Sequence, residues 1–485
     1  MAGITSYGAY FPRYRLPRER IFDALGWYNP FLKALAAGEK AVANHDEDSL
    51  TMAVAAGLDC LAGGDPKAVG GLYLASTTLP YQERQNAAIA AQALDLSTRI
   101  RALDVTGAIT AGTRALLDAL DAVKAGSLQN ALVCAADTRM AKVGSPLEYV
   151  YGDGAAAIGV GTEKVIAELL ASESVSYDFV DHRRAAGERF DRMWEERWIR
   201  DEGLTKILPK AVMGLLQKAA IPPNEIAKLV IPLPAKRALG GFAKQMGLGP
   251  EAVQDNLMGG IGDVGAAYPL VLLAAALEQA KPGDKILVIG FGSGADAMIF
   301  QVTDAIAKLP ARLGVKGHLA ARAELDSYEK ICAWRDVVPL ETGIRGEVEA
   351  PTALSTMWRD RFAVFGLYGS RCKACGTPQF PPQRVCVNPE CGVIDQMEPY
   401  RFAGRPARAF TYTADRLAVS LDPPAIYGLI DFAEGGRMWL DFTDCALDDL
   451  EVDMPMQMTF RRKYIDRTRA VHGYFWKAAP AGQEV

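Results

Sequence analysis

One stretch, RALDVTGAITAGTRALLDAL over Arg101–Leu120, narrows the choice of fold most. The run Ile100–Val105 predicts a short strand, Thr106–Gly107 a turn, and the spacing of Ala111, Ala115, Leu116, Ala119 and Leu120 a helix with one apolar face. A strand that turns tightly into a buried helix exposes one side chain beside the positive helix end, where several enzyme families mount a nucleophile. The residues at this turn are Ala108, Ile109 and Thr110, so neither cysteine nor serine stands there.

The flanking chain repeats the alternation of strand and helix. Strands are predicted at Gly3–Tyr10, Val69–Ser76 and Ala131–Ala136, and the Gly-rich Tyr151–Gly161 turns strand-like. Helices are predicted at Leu50–Leu61, with Asp48 as N-cap, and at Ala87–Ala93. A second round follows. It comprises a helical Leu204–Ala220, a strand Lys228–Pro232, a loop and helix over Arg237–Gly247, an Ala-rich helix near Ala266–Ala280, and a strand Lys285–Ile289 running into FGSGADAMIFQV. Such alternation implies a mixed or parallel sheet covered on both faces. The matching turns Gly152-Asp153-Gly154-Ala155 and Gly292-Ser293-Gly294-Ala295 suggest an internal duplication, with halves at about 1–165 and 200–303. Residues 165–200 are charged and aromatic, either a solvated insertion or a substrate-facing one.

At 485 residues the chain exceeds one core, so two or three domains are expected. A net charge of −5 argues against a general nucleic-acid binder. The N-terminus lacks a signal-peptide pattern, and the Ala266–Ala280 run is too short to span a membrane, so the expectation is a cytoplasmic protein with no membrane partner. Cys60, Cys134, Cys332 and Cys445 lie among apolar neighbours and read as buried free thiols.

A domain boundary is expected near Glu349–Thr352, where Pro351 discourages helix. That gives a first domain over 1–350, a helix and ribbon over 351–400, and a barrel over 401–480. Cys372-x2-Cys375 and Cys386-x4-Cys391 have the spacing of two knuckles that present four thiolates to a structural zinc, with disulfides as the alternative. Strand patterns at Ala407–Tyr412, Ala425–Phe432, Met438–Phe442, Met456–Arg461 and Ala470–Phe475 predict a small β-barrel.

The stretches YGAYFPRYRL, GEKAVANHDEDSLTMAV, YGDGAAAIGVG and FGSGADA, in this order, resemble the thiolase superfamily, most closely its hydroxymethylglutaryl-CoA synthase branch, over about residues 1–345. The C-terminal part resembles the zinc-ribbon plus OB-fold domain that partners thiolase-like enzymes. The resemblance implies a duplicated αβαβα α/β core, a homodimer, a CoA thioester as substrate, other enzymes of an acyl-CoA pathway as partners, and a pantetheine tunnel reaching the Ala108–Thr113 turn. It also implies a catalytic cysteine, glutamate, histidine and asparagine. The family's Ala-Cys-x-(Gly/Ala)-Gly-Thr motif falls on Ala108–Thr113 and puts Ile109 at the cysteine. The glutamate position holds Thr77, the histidine position Pro232 and the asparagine position Asp263.

Isoleucine forms no acyl-thioester, so covalent acyl transfer at Ile109 is excluded. Proline carries no side-chain proton, and Thr77 is no general base at neutral pH. Three candidates remain for catalysis. Thr110, like Thr113, reads as either a helix cap or a catalytic hydroxyl. Asp263 is an acid in an apolar segment, for either acid–base or structural use. Tyr268, with Tyr81 and Tyr151, reads as an oxygen donor or a packing residue. Lys236, Arg237 and Lys244 follow the strand end at Pro234, where the family places basic residues near the CoA phosphates; a solvated cluster is the alternative. Three functions fit this pattern. One is an aldol or retro-aldol enzyme working on CoA thioesters without an acyl-enzyme. The others are a hydroxymethylglutaryl-CoA synthase-like acyltransferase and a non-catalytic acyl-CoA-binding subunit.

Overall fold

The strand–helix alternation is realised as one nine-stranded sheet in the computed structural model, which describes residues 2–341 and 352–482. Its strands are β1 (Gly3–Tyr10), β2 (Gly71–Ala75), β3 (Arg101–Val105), β4 (Asn130–Asp137), β5 (Gly154–Gly161), β6 (Ala167–Ser176), β7 (Ile226–Val230), β8 (Lys285–Phe291) and β9 (Gly294–Val302). They lie in the order β7-β8-β9-β6-β1-β5-β4-β2-β3. Outward from the antiparallel β1–β6 pair, each half repeats one grammar of antiparallel, antiparallel, then parallel neighbours. One half runs β6–β9, β9–β8, β8–β7 and the other β1–β5, β5–β4, β4–β2. The duplication suggested by the paired Gly-rich turns is thus written in the sheet order. β3 adds one more parallel strand on β2.

Side-chain alternation splits the core across the sheet. Ile286, Val288, Met298 and Phe300 join a cluster with the helices Ala111–Lys124 and Tyr268–Leu277. Leu287, Ile289, Ala297 and Ile299 face the other way, toward the helices Leu208–Ala219 and Lys236–Gln245. The Tyr268 helix is buried at every position, as befits a helix that is apolar all round. The Ala111 helix buries the predicted stripe of Ala111, Ala115, Leu116, Ala119 and Leu120. Asp48 caps Ser49–Cys60 in a reciprocal capping box with Thr51.

Several boundaries differ from the sequence expectation. The strand predicted at Lys228–Pro232 runs instead over Ile226–Val230, because its parallel ladder with β8 ends at Val230 and leaves Pro232 outside. The helix predicted at Leu204–Ala220 is π-helical over Ile199–Ile207 and becomes α-helical only at Leu208, since Pro209 fits a first turn and not a helix interior. Cys60, Cys134 and Cys332 are buried, but Cys445 is half-buried. Among the described residues no helix is long and apolar enough to cross a membrane.

The chain divides into two units, one of Met1–Ala43, Asp48–Ala91 and Leu96–Tyr328, the other of Asn44–Glu47, Gln92–Asp95 and Glu329–Val485. The boundary expected near Glu349–Thr352 falls, apart from Thr352, outside the described residues. In the second unit a three-stranded ribbon (Tyr368–Cys372, Pro378–Gln379, Met397–Arg401) precedes a five-stranded antiparallel sheet. A bridge between Phe442 and Ala478 draws that sheet toward a barrel, and Trp476 fills its interior. Within this unit Arg461 is 2% exposed and pairs with Glu47 and Asp444, while Lys477 meets Asp46 at 2.9 Å.

One close approach fixes the Ala111 helix beside the Tyr268 helix. A Cβ on Gly112 would stand 2.1 Å from the carbonyl oxygen of Ala266, so only glycine fits. Gly112→Ala is therefore expected to cost about 1–3 kcal/mol and lower the first unit's melting transition in calorimetry. Gly240→Ala, at an exposed position of the Lys236–Gln245 helix with nothing within 4 Å of the added methyl, should leave that transition unchanged or raise it.

Candidate functional site

The turn before the Ala111 helix keeps its predicted place, with Thr106 and Gly107 exposed. Ile109 is half-buried, and its Cβ lies 3.4 Å from where a Cβ on Gly292 would stand. Thr110 is buried at the N-cap without capping the helix; its hydroxyl donates to the Gly292 carbonyl at 3.3 Å. The Thr113 hydroxyl donates to Asp296 Oδ2 at 2.8 Å. Both threonines thus tie the helix start to the other half, Thr110 to the Gly292 turn and Thr113 to β9.

Thr77 sits at the end of β2 and is engaged by a residue the sequence reading passed over. Asp137, at the end of β4, is fully buried and accepts from Ser76 Oγ (2.9 Å), Thr77 N (2.7 Å), Thr77 Oγ1 (3.0 Å), Thr78 Oγ1 (2.9 Å) and Ala266 N (2.7 Å). This satisfies a buried carboxylate completely and leaves its oxygens no room to act on a ligand.

Two residues on, Arg139 is buried and collects charge. Its Nε donates to Asp191 Oδ2 at 2.8 Å, its Nη2 donates to the Tyr151 hydroxyl, and its guanidinium carbon lies 3.9 Å from the Tyr151 ring centre. Its Nη1 is 3.5 Å from Asp263 Oδ2. Burial pulls the Arg139 pKa down, but Tyr151, Asp263, Asp191 and Asp137 together outweigh it and hold the guanidinium charged. Burial, partly offset by Arg139, raises the pKa of Tyr151. Asp263 Oδ1 accepts from Gly265 N at 2.9 Å, and its side chain is 16% exposed against 2% for Arg139. Asp263 is therefore ion-paired rather than isolated in an apolar segment.

Asp191 comes from the stretch 165–200. The expectation of an insertion over 165–200 is corrected at its start, since Ala167–Ser176 is the core strand β6; the part beyond it carries a short hairpin pairing His182–Arg183 with Arg192–Met193 and is not wholly solvated. Asp191 is 6% exposed, and Arg184 of the same hairpin donates to the Thr77 carbonyl while its Nε lies 3.6 Å from Asp191.

Pro232 lies past the end of β7, where Asn256 donates to the carbonyls of Leu233 (2.9 Å) and Pro234 (3.0 Å). Tyr268 donates to the Asn256 carbonyl at 2.5 Å, and burial followed by Asp263 and Asp255 raises its pKa well above the usual phenol. Its hydroxyl is thus a buried tie with its one proton committed. Lys236 and Lys244 border an open cleft of 580 Å³ with Leu239, Leu248, Val253 and Asp255, whereas Arg237 points elsewhere along the same exposed helix. The structure brings Asp263 and Thr77 to one cluster around Arg139 and Asp137. It holds Thr110 on Gly292 and Tyr268 on Asn256. Asp137, Arg139, Arg184 and Asp191 are additions to the expected set. The signal for the first two was the charged Asp-Thr-Arg directly after an apolar strand, since ligands gather at strand carboxyl ends.

In the second unit the sulfurs of Cys372, Cys375, Cys386 and Cys391 lie within 4.8 Å of one another, with Cys372–Cys391 at 3.8 Å and Cys375–Cys386 at 3.5 Å. Four thiolates about 2.3 Å from one tetrahedral ion would stand about 3.8 Å apart, so the cluster fits a metal. The Thr377 hydroxyl lowers Cys375 to about 6, while burial and then the neighbouring thiols push Cys386 up to about 12, a mismatch that a shared cation removes.

Residues 216–302 match the C-terminal domain of 3-oxoacyl-[acyl-carrier-protein] synthase III. Residues 359–393 match the ChsH2 rubredoxin-like zinc ribbon, and residues 400–461 the ChsH2 C-terminal OB-fold domain. The curacin-pathway HMG synthase in complex with apo donor-ACP is similar in fold, with a TM-score of 0.60 at 20% identity, covering 70% of this chain and 89% of that one. So is MvaS in complex with 3-hydroxy-3-methylglutaryl coenzyme A, at TM-score 0.57 and 22% identity, covering 70% and 92%. The hydroxymethylglutaryl-CoA synthase of Methanopyrus kandleri is 34% identical over 310 residues, which are 63% of this chain and 88% of the relative. The chain belongs to the hydroxymethylglutaryl-CoA synthase family, on a thiolase-type core extended by a zinc ribbon and an OB-fold domain.

Proposed function

We propose that this protein makes or breaks a carbon–carbon bond in a CoA thioester by aldol or retro-aldol chemistry, with no acyl-enzyme. The observation that carries the reading is the placement of Asp263. This carboxylate stands at a family catalytic position, is the more open member of a buried charged cluster, and keeps Oδ2 clear of backbone donors. Isoleucine at 109 removes the acyl-enzyme route, whereas an aldol step needs only a base and a stabilised enolate oxygen. In the cleavage direction Asp263 Oδ2 takes the proton of the β-hydroxyl. The O–H electron pair forms the carbonyl of the leaving ketone or aldehyde, the bond between the α and β carbons breaks, and the resulting thioester enolate takes back at its α carbon the proton that Asp263 holds. The positive start of the Ala111–Lys124 helix favours the enolate oxygen. Lys236 and Lys244 suit the CoA phosphates. A family-type homodimer in the cytoplasm, serving other enzymes of an acyl-CoA pathway, completes the reading.

Zinc held by Cys372, Cys375, Cys386 and Cys391 would be structural, since four thiolates leave no open position. Metal analysis of the purified chain should give about one zinc per molecule, and Cys386→Ser should lose it and loosen the ribbon to protease. A content well below one equivalent overturns the assignment.

Incubating the full chain with a panel of 3-hydroxyacyl-CoA thioesters should release a ketone or aldehyde, detected by mass spectrometry. Asp263→Asn should slow that release by about 10²–10⁴-fold. A trapped acyl-enzyme after acetyl-CoA treatment would sink the proposal, and CoA binding without turnover on any substrate would leave a binding subunit instead.

A further inference from the structure

The loop Asn44–Glu47 packs within the second unit, while the residues on either side of it belong to the first. Polar contacts from the barrel hold every residue of this loop. Asn44 Nδ2 donates to Asp444 Oδ1 at 3.0 Å, and the His45 carbonyl accepts from Arg462 Nη2 at 2.6 Å. Asp46 Oδ2 accepts from the Thr443 hydroxyl and meets Lys477 Nζ, both at 2.9 Å, and Glu47 pairs with Arg461. Burial works to raise the pKa of Asp46, but Lys477, Arg461 and His45 outweigh it and hold the carboxylate below its usual range. Asn44, Asp46 and Glu47 are all buried. Taking this much charge out of water costs stability that a loop on the surface would keep.

The residues that flank the loop reach the candidate site from two directions. Upstream, Ala43 N donates to Asp153 Oδ2 at 2.7 Å, and Asp153 N donates to the Ala41 carbonyl at 3.0 Å. The same segment is laced to Asp263, whose N donates to the Val150 carbonyl at 2.8 Å and whose carbonyl accepts from Gly152 N at 3.0 Å. Downstream, Ser49 Oγ donates to the Thr78 carbonyl at 2.7 Å, beside Thr77 and Asp137. Only five residues separate Ala43 from Ser49, so a shift of the loop pulls on both anchors. We infer that Lys477 and Arg461, by gripping Asp46 and Glu47, set the spacing between Asp263 and the end of β2. These two barrel cations are thus positioning residues for the site. A carboxylate displaced by about 1 Å from its reacting group loses much of its effect, which gives the buried charge a purpose.

The inference rests on the reading of these strand ends as the site, so its first readout is amide exchange, which needs no turnover. In the full chain, Lys477→Met should speed hydrogen–deuterium exchange about ten-fold or more at Thr77, Gly152 and Asp263, and leave the amides of β8 unchanged. Lys477→Arg, which keeps the charge beside Asp46, should restore slow exchange. Arg462→Ala, which removes the grip on the His45 carbonyl without stranding a buried carboxylate, should give the same pattern more weakly. Loosening confined to residues 44–47 and the barrel, or an equal rise at β8, overturns the inference. With a 3-hydroxyacyl-CoA that is cleaved, Lys477→Met should lower kcat about ten-fold and leave KM in place, and Lys477→Arg should recover kcat. Loosened strand ends in a chain that cleaves no thioester keep the inference and remove the lyase reading. Lyase activity beside unchanged exchange in the Lys477→Met chain overturns the inference alone.

Discussion

A carboxylate sealed from water must find all its hydrogen bonds inside the protein or force the fold apart. Asp137 meets that demand by drawing donors from the end of β2 and from Ala266, just ahead of the Tyr268 helix. One side chain therefore gathers two strand ends and a helix start at a single point. Gly265 is obliged by the same contact. Its φ is +62°, and a Cβ there would stand 2.3 Å from Asp137 Oδ2. Thr77 and the segment that follows Asp263 are both tied to this one anion. Thr77 spends its hydroxyl on Asp137, which removes it as a chemical group and makes it a structural one.

The layered core was legible because it rests on periodicity. Alternating side chains of β8 and β9 and the stripe on the Ala111 helix are local patterns, and the structure realises them with shifts of a few residues. The boundary errors share a cause, since ladder register and proline position decide where an element stops and neither shows in a hydropathy count. Pro209 and Pro232 illustrate both. The four ribbon cysteines were legible because spacing alone nearly determines a thiolate cluster.

The charged half of the site was not legible, because its members come from distant places in the chain. Arg139 follows β4, Asp263 precedes the Tyr268 helix, and Asp191 rides a hairpin whose composition reads as solvated. A run such as FVDHRRAAGERFDR has no period that marks Asp191 as the buried residue. Only the partner across the fold does that. In sequence Asp263 is an acid among apolar neighbours, and in space its neighbour is a cation.

Cost decides between an idle scaffold and a working pocket. Burying Arg139 with Asp191 and Asp263 is expensive, and apolar side chains of similar volume usually do as well or better for stability. A chain that only needed to fold, or to hold a partner, would gain by filling that space with leucine and valine. At the Ala108–Thr113 turn the chain instead carries the apolar, half-buried Ile109 beside Gly292. The two outcomes stand in one domain. The turn carries an apolar side chain, whereas the Arg139 cluster keeps buried charge at a cost, with one nitrogen of Arg139 unsatisfied. Buried charge held at a cost at strand carboxyl ends is the pattern from which the proposed reading of this site starts.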